Sequence, residues 1–136
     1  KADVNAKEKF GGTPLHRASE KGQVDGIKFL VEQKADVNAK SEKAGATPLH
    51  TASTKGQVDG FKCLVEHKAD VNAKDAVSGE TPLHKASEAG QVDGIKCLVE
   101  HKADVNAKDA LGGETPLHKA SEAGQVDGIK CLVEHK

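Results

Sequence analysis

Apolar and polar positions near the start of the chain trace two short helices. Leu15, Ala18 and Ser19 fall at i, i+3 and i+4 while Arg17, Glu20 and Lys21 share the opposite side, which predicts a helix with one buried face. Thr13 precedes it as an N-cap, Pro14 fits the donor-free first turn, and Gly22 supplies a left-handed end. A second helix is predicted from Val24 to Gln33. Its charged positions Asp25, Lys28 and Glu32 form one narrow stripe, and Gly26, Ile27, Phe29, Leu30 and Val31 fill the remaining arc. Such a helix has to lie between its partner and a neighbouring unit. The following Ala35-Asp36-Val37-Asn38-Ala39-Lys40 and the Gly-containing stretch after it read as an extended turn or hairpin.

This hairpin, helix, helix pattern recurs. Thr13-Pro14-Leu15-His16 returns as Thr47-Pro48-Leu49-His50, Thr81-Pro82-Leu83-His84 and Thr115-Pro116-Leu117-His118, each 34 residues after the last. Helices of about two turns do not persist alone in water, so the units must stack to bury their apolar faces. The expectation is an all-α solenoid forming a single domain over residues 1–136, with units at 1–33, 34–67, 68–101 and 102–136. An apolar content of 36% is low for one compact core but adequate for a thin layered one.

Charge narrows the partners. Twenty Lys and Arg stand against 21 Asp and Glu, interleaved in every unit, so no basic stripe follows a phosphate backbone and nucleic acid is not expected. No apolar run approaches the roughly 20 residues that cross a bilayer. Membrane insertion is therefore not expected, and an intracellular, cytoplasmic location is. The chain has no Met and begins and ends inside the pattern, so it reads as an excerpt.

The spacing Gly-x-Thr-Pro-Leu-His-x-Ala, the Gly six residues after the His, the Ile/Phe-x-x-Leu-Val run and Ala-Asp-Val-Asn-Ala resemble the ankyrin repeat over essentially the whole chain. Three departures stand out. Units two and three run to 34 residues, with the extra residue in the hairpin between Asn38 and Thr47 and at its equivalents. Lys34, Lys68 and Lys102 occupy the place where the family ends its second helix with Gly; a left-handed residue carrying a Cβ costs about 1 kcal/mol there. Gly26, Gly60, Gly94 and Gly128 lie inside the second helix, and tolerated drift is the expected reason.

The resemblance implies that His16, His50, His84 and His118 bond locally to the Thr of their own tetrapeptide and to the next unit. Four equally spaced copies do not build one asymmetric catalytic site, and no phosphate loop or Ser-centred elbow occurs, so no enzyme activity is expected. Cys63 with His67, Cys97 with His101 and Cys131 with His135 stand at i, i+4, but each pair offers only two donors and Phe29 with Gln33 breaks the series. Core thiols, free of disulfides, are expected, with no metal and no cofactor.

Differences among the units fall mainly in the hairpins and at outward positions of the first helix. Phe10, Val77 and Leu111 at the hairpin tips are candidate anchors for a partner, with Lys43 a charged tip. The resemblance implies protein–protein interaction through those tips and the concave first-helix face, here Arg17, Glu20, Lys21, Thr51, Thr54, Lys55, Lys85, Glu88, Lys119 and Glu122. It also makes Asn38, Asn72 and Asn106 acceptors for asparagine hydroxylation. Units three and four differ only at Val77 against Leu111 and Ser78 against Gly112 over 68–101 and 102–135. That near-identity suggests duplication or engineering and keeps open a structural spacer without a specific partner. Apolar residues near the C-terminal end, Cys131, Leu132 and Val133, imply weak end-to-end self-association.

Overall fold

A computed structural model describes residues 1–9 and 11–135, so Phe10 and Lys136 lie outside the described residues. Among the described residues the helices come in four antiparallel pairs: α1 (Pro14–Lys21) with α2 (Val24–Glu32), α3 (Pro48–Lys55) with α4 (Val58–Glu66), α5 (Pro82–Ala89) with α6 (Val92–Glu100), and α7 (Pro116–Glu122) with α8 (Val126–Glu134). Odd-numbered helices pack in one row and even-numbered helices in another, with each pair resting on the next. No strand occurs among the described residues. The hairpins are turns closed by backbone bonds across the loop, such as Asp75 N–H to the Glu80 carbonyl at 2.9 Å and Asp109 N–H to the Glu114 carbonyl at 2.8 Å.

The tetrapeptide starts every odd helix in the same way. The Thr side chain accepts from the His backbone N–H, and His Nδ1 accepts from the Thr backbone N–H at 3.0–3.1 Å, closing a reciprocal cap. Gly22, at φ 67°, ends α1 in the left-handed conformation. The even helices end on Lys34 and Lys68 at φ 72° and 73°, with Lys102 also at 73°. Around Lys34 the N–H of Ala35 reaches Leu30 and that of Lys34 reaches Val31. This pair of bonds is the Schellman closure, so Lys occupies the glycine position and the bonds offset its backbone strain.

Leu15, Ile27, Leu49, Phe61, Leu64, Leu83, Ile95 and Leu98 are fully buried in one layer between the rows. Ser19 and Ser53 are also buried and donate to the carbonyls one turn back, Leu15 and Leu49. Within α6, drift does not account for Gly94. A Cβ placed there would stand 2.8 Å from Cε2 of Phe61, so the close approach of α4 requires a bare backbone. Gly60 faces Ile27 Cδ1 at an ordinary 3.5 Å and is under no such constraint.

Candidate functional site: the tip and first-helix ledge

Junctions between units are stitched by polar groups the repeat supplies. His16, His50 and His84 each place Nε2 2.8 Å from a carbonyl of the next unit, on Ala46, Glu80 and Glu114. Because Nδ1 already accepts from a Thr N–H, Nε2 carries the proton and donates. Asn5, Asn38 and Asn72 accept through Oδ1 from the backbone of Asp36, Asp70 and Asp104 and donate through Nδ2 to Lys34, Lys68 and Lys102. The Asn38 and Asn72 amides are therefore bridges between units as well as exposed groups; Asn106 is exposed beyond the last junction. Adjacent tips are joined by backbone bonds of 2.8 Å from Ala76 to Ala44 and from Ala110 to Ser78.

These bonds align the tips and the odd helices into one ledge. Val77 and Leu111 project from it at 64% and 74% exposure, while Phe10 lies outside the described residues. Lys21, Lys43, Thr54, Lys55, Glu88 and Glu122 are exposed, and Glu20 and Thr51 are half-buried. Arg17 bonds Glu8 at 2.6 Å and Glu20 at 3.2 Å.

Lys85 and Lys119 sit differently from their counterparts. Lys85 reaches Glu80 at 2.9 Å and Asp75 at 3.6 Å, and Lys119 lies 3.4–3.6 Å from Glu80, Asp109 and Glu114. Asp75, Glu80 and Asp109 are themselves buried. Glu80 thus links two units, and the ammonium groups are turned toward the scaffold. Sequence reasoning missed these carboxylates, although a signal was present. Only units three and four read Glu-Thr-Pro-Leu-His-Lys, pairing the acid with the base.

Bonds from the Gly112 N–H, then from Glu114 N–H and Lys119, outweigh burial and hold the Asp109 carboxyl at about 2. Burial, partly opposed by the bonds to Ala46 and Glu80, lowers His16 and His50 below the ordinary imidazole value of 6.5. Unfolded imidazoles then take up protons before folded ones, so stability is full above about pH 6.5 and falls as pH drops toward the lowered folded values. A second loss follows between about pH 4 and about pH 2 as Asp109 protonates, since a depressed carboxyl stabilises only while ionised. Thermal melts followed by circular dichroism should show both steps; a constant midpoint between about pH 7.5 and about pH 5.5 would contradict the first.

Burial also pushes the Cys63, Cys97 and Cys131 thiols up, and all three are free. His67 Nδ1 contacts the Cys63 carbonyl at 2.7 Å, closing the end of its own helix. Among the described residues no cluster of three or more His, Cys, Asp or Glu is placed to hold a metal ion, and no helix is long and apolar enough to cross a membrane.

Stacked helix pairs with bonded tips define a tandem-repeat solenoid that presents a continuous ledge. The chain belongs to the ankyrin repeat family: the family described as ankyrin repeats (3 copies) matches residues 1–75 and 69–136. Alpha-latrocrustotoxin-Lt1a and delta-latroinsectotoxin-Lt1a of Latrodectus tredecimguttatus are 45% and 51% identical over 42 and 39 residues, 31% and 29% of this chain. Ankyrin repeat protein FPV233 of fowlpox virus (strain NVSL) is 54% identical over 41 residues, 29% of this chain. The aligned parts span 3%, 3% and 8% of those relatives, so the likeness is one of repeat units. Ankyrin repeats are in general protein-interaction modules.

Proposed function

We propose that this chain is a protein-interaction scaffold whose partner docks along the tips and the outer face of α1, α3, α5 and α7. The observation that carries this reading is the exposed pair Val77 and Leu111 on adjacent, mutually bonded tips. Ser78 N–H and Gly112 N–H each bond the Asp three residues back, at 2.7 and 3.0 Å, so both apolar side chains stand on pre-ordered turns. Anchors held this way lose little entropy on binding. Lys21, Lys55, Glu88 and Glu122 would rim the contact and set its register. Phe10, at the equivalent tip of unit one, is assigned the same role. Three free thiols fit a reducing intracellular compartment.

Selection of binders from a displayed library of protein fragments gives the test. Alanine at Val77 and Leu111 together should weaken selected binders at least about tenfold with the melting midpoint unchanged. Binders indifferent to both changes would support the competing reading, a spacer without a specific partner, which the near-identity of units three and four favours. Of Cys131, Leu132 and Val133, expected to drive weak end-to-end association, Leu132 is buried and Cys131 half-buried, which leaves Val133 exposed.

A further inference from the structure

Units three and four leave two carboxylates without cations on the odd-helix side of the stack. In unit one the equivalent acid is satisfied, since Glu20 meets Arg17 at 3.2 Å and Lys55 at 4.0 Å. Glu88 and Glu122 occupy its place in α5 and α7. The cations three residues earlier, Lys85 and Lys119, are held instead by Asp75, Glu80 and Asp109. The following residue is Lys21 in unit one and Lys55 in unit two, but Ala89 and Ala123 here. Neither Glu88 nor Glu122 forms a salt bridge among the described residues, and both are exposed.

The two carboxylates flank one hollow, lined by Glu88 of unit three and by Lys119, Glu122 and Ala123 of unit four. It lies beside an internal junction. Val77 and Glu88 stay exposed, Val77 at 64%, with the fourth pair stacked on the third, and Leu111 and Glu122 repeat their positions one unit on. This side of the stack is therefore not one that a further unit covers. Lys119 ties the hollow to the tip, because its ammonium lies 3.5 Å from an Asp109 carboxylate that also accepts from Gly112 N–H in the turn carrying Leu111. Glu80 and Glu114 stand against the same ammonium. Its charge is outweighed locally, and the hollow presents a negative potential.

The ledge thus offers two apolar side chains one unit apart, with an acidic hollow at the junction between their units. Neighbouring helices pack about 8–10 Å apart, and seven residues of α-helix rise about 10.5 Å. An extended strand has no matching repeat, since three residues span about 10 Å but turn the side chain to the opposite face. A helix laid along the ledge sets side chains at i and i+7 over Val77 and Leu111. Its i+3 and i+4 positions lie on the same face, midway along the axis and level with the hollow.

We infer that units three and four take an amphipathic helix of a partner protein, with apolar residues at i and i+7 against Val77 and Leu111 and an Arg or Lys at i+3 or i+4 between Glu88 and Glu122. The inference rests on the scaffold reading and deepens it by giving the partner's secondary structure and charge. Opposite charge steers and orients the helix, and the apolar contacts hold it. Unit two lacks both halves of the pattern, with Lys43 at the Val77 position and Thr54 at the Glu88 position. Register along the ledge is set by that difference.

Selection from a displayed library of single helices, randomised along one face, tests this on the 136-residue chain. Recovered helices should carry apolar residues at i and i+7 with Arg or Lys at i+3 or i+4, and should bind at least about tenfold more weakly when that cation becomes Glu. Selection on the E88K/E122K variant, its folding checked by circular dichroism, should recover Asp or Glu there instead. A general loss of binding does not produce that exchange of sign. Recovered helices with no charge preference, or with one that the double reversal leaves unchanged, overturn the inference, while fragment binders that need Val77 and Leu111 keep the scaffold reading standing. A helix library that yields no binder also overturns it, and the scaffold reading falls with it only if the fragment library fails too. Self-association in sedimentation velocity that E88K/E122K abolishes would give the ledge to a second copy in place of a partner helix.

Discussion

Phe61→Ala is expected to lower the free energy of unfolding by about 3–5 kcal/mol, because it deletes a fully buried aromatic ring from the middle of the layered core. The ring also sets the sign of another substitution. Gly94→Ala gains about 0.5–1 kcal/mol of helix propensity, but its Cβ would lie 2.8 Å from Phe61 Cε2, and overpacking of this kind costs about 1–3 kcal/mol. Net destabilisation follows in the parent chain. In the Phe61→Ala background the clash is gone and Gly94→Ala becomes stabilising. Gly60→Ala, with Ile27 Cδ1 at 3.5 Å, should stabilise in either background. Urea unfolding of the single and double variants forms a cycle that isolates the contact. An unchanged effect of Gly94→Ala across the two backgrounds would show that the ring and the glycine do not meet. Each pair touches only its neighbours, so a weakened α4 should also broaden the transition as the terminal pairs lose their coupling.

Most of the fold was legible because the decisive signals are local and repeat in register. Thr13-Pro14 starts a helix, Gly22 ends it, and the 34-residue return makes the stack necessary. The left-handed Lys34 was legible from its position alone. What was not legible depends on which residue lies across a junction. Gly94 is identical in sequence context to Gly128, yet Phe61 faces one and Ile95 the other. The role of Gly94 is written in a residue of the preceding unit. The same holds for the ledge: Lys85 and Lys119 resemble solvent-facing helix positions until Asp75, Glu80 and Asp109 fold back onto them. Val77 and Leu111 differ because the tip bonds use backbone groups and Asp side chains, leaving the apolar side chains pointing outward.

Substituting alanine for His84 and for His118 separates what this imidazole does within a unit from what it does between units. Both histidines make the reciprocal cap with their own Thr; alanine keeps the backbone N–H bonded to the Thr hydroxyl and removes the half that Nδ1 supplies, which costs about 1 kcal/mol. His84 is also fully buried and donates to the Glu114 carbonyl at 2.8 Å, so its removal leaves a cavity and breaks a junction bond. The expected total is about 2–4 kcal/mol for His84→Ala, against about 1 kcal/mol for His118→Ala measured at dilution. The Glu114 carbonyl still accepts from Asp109 N–H, which keeps the His84 value below that of a fully orphaned group. Equal losses at the two sites in urea melts would mean that the imidazole acts through the cap alone.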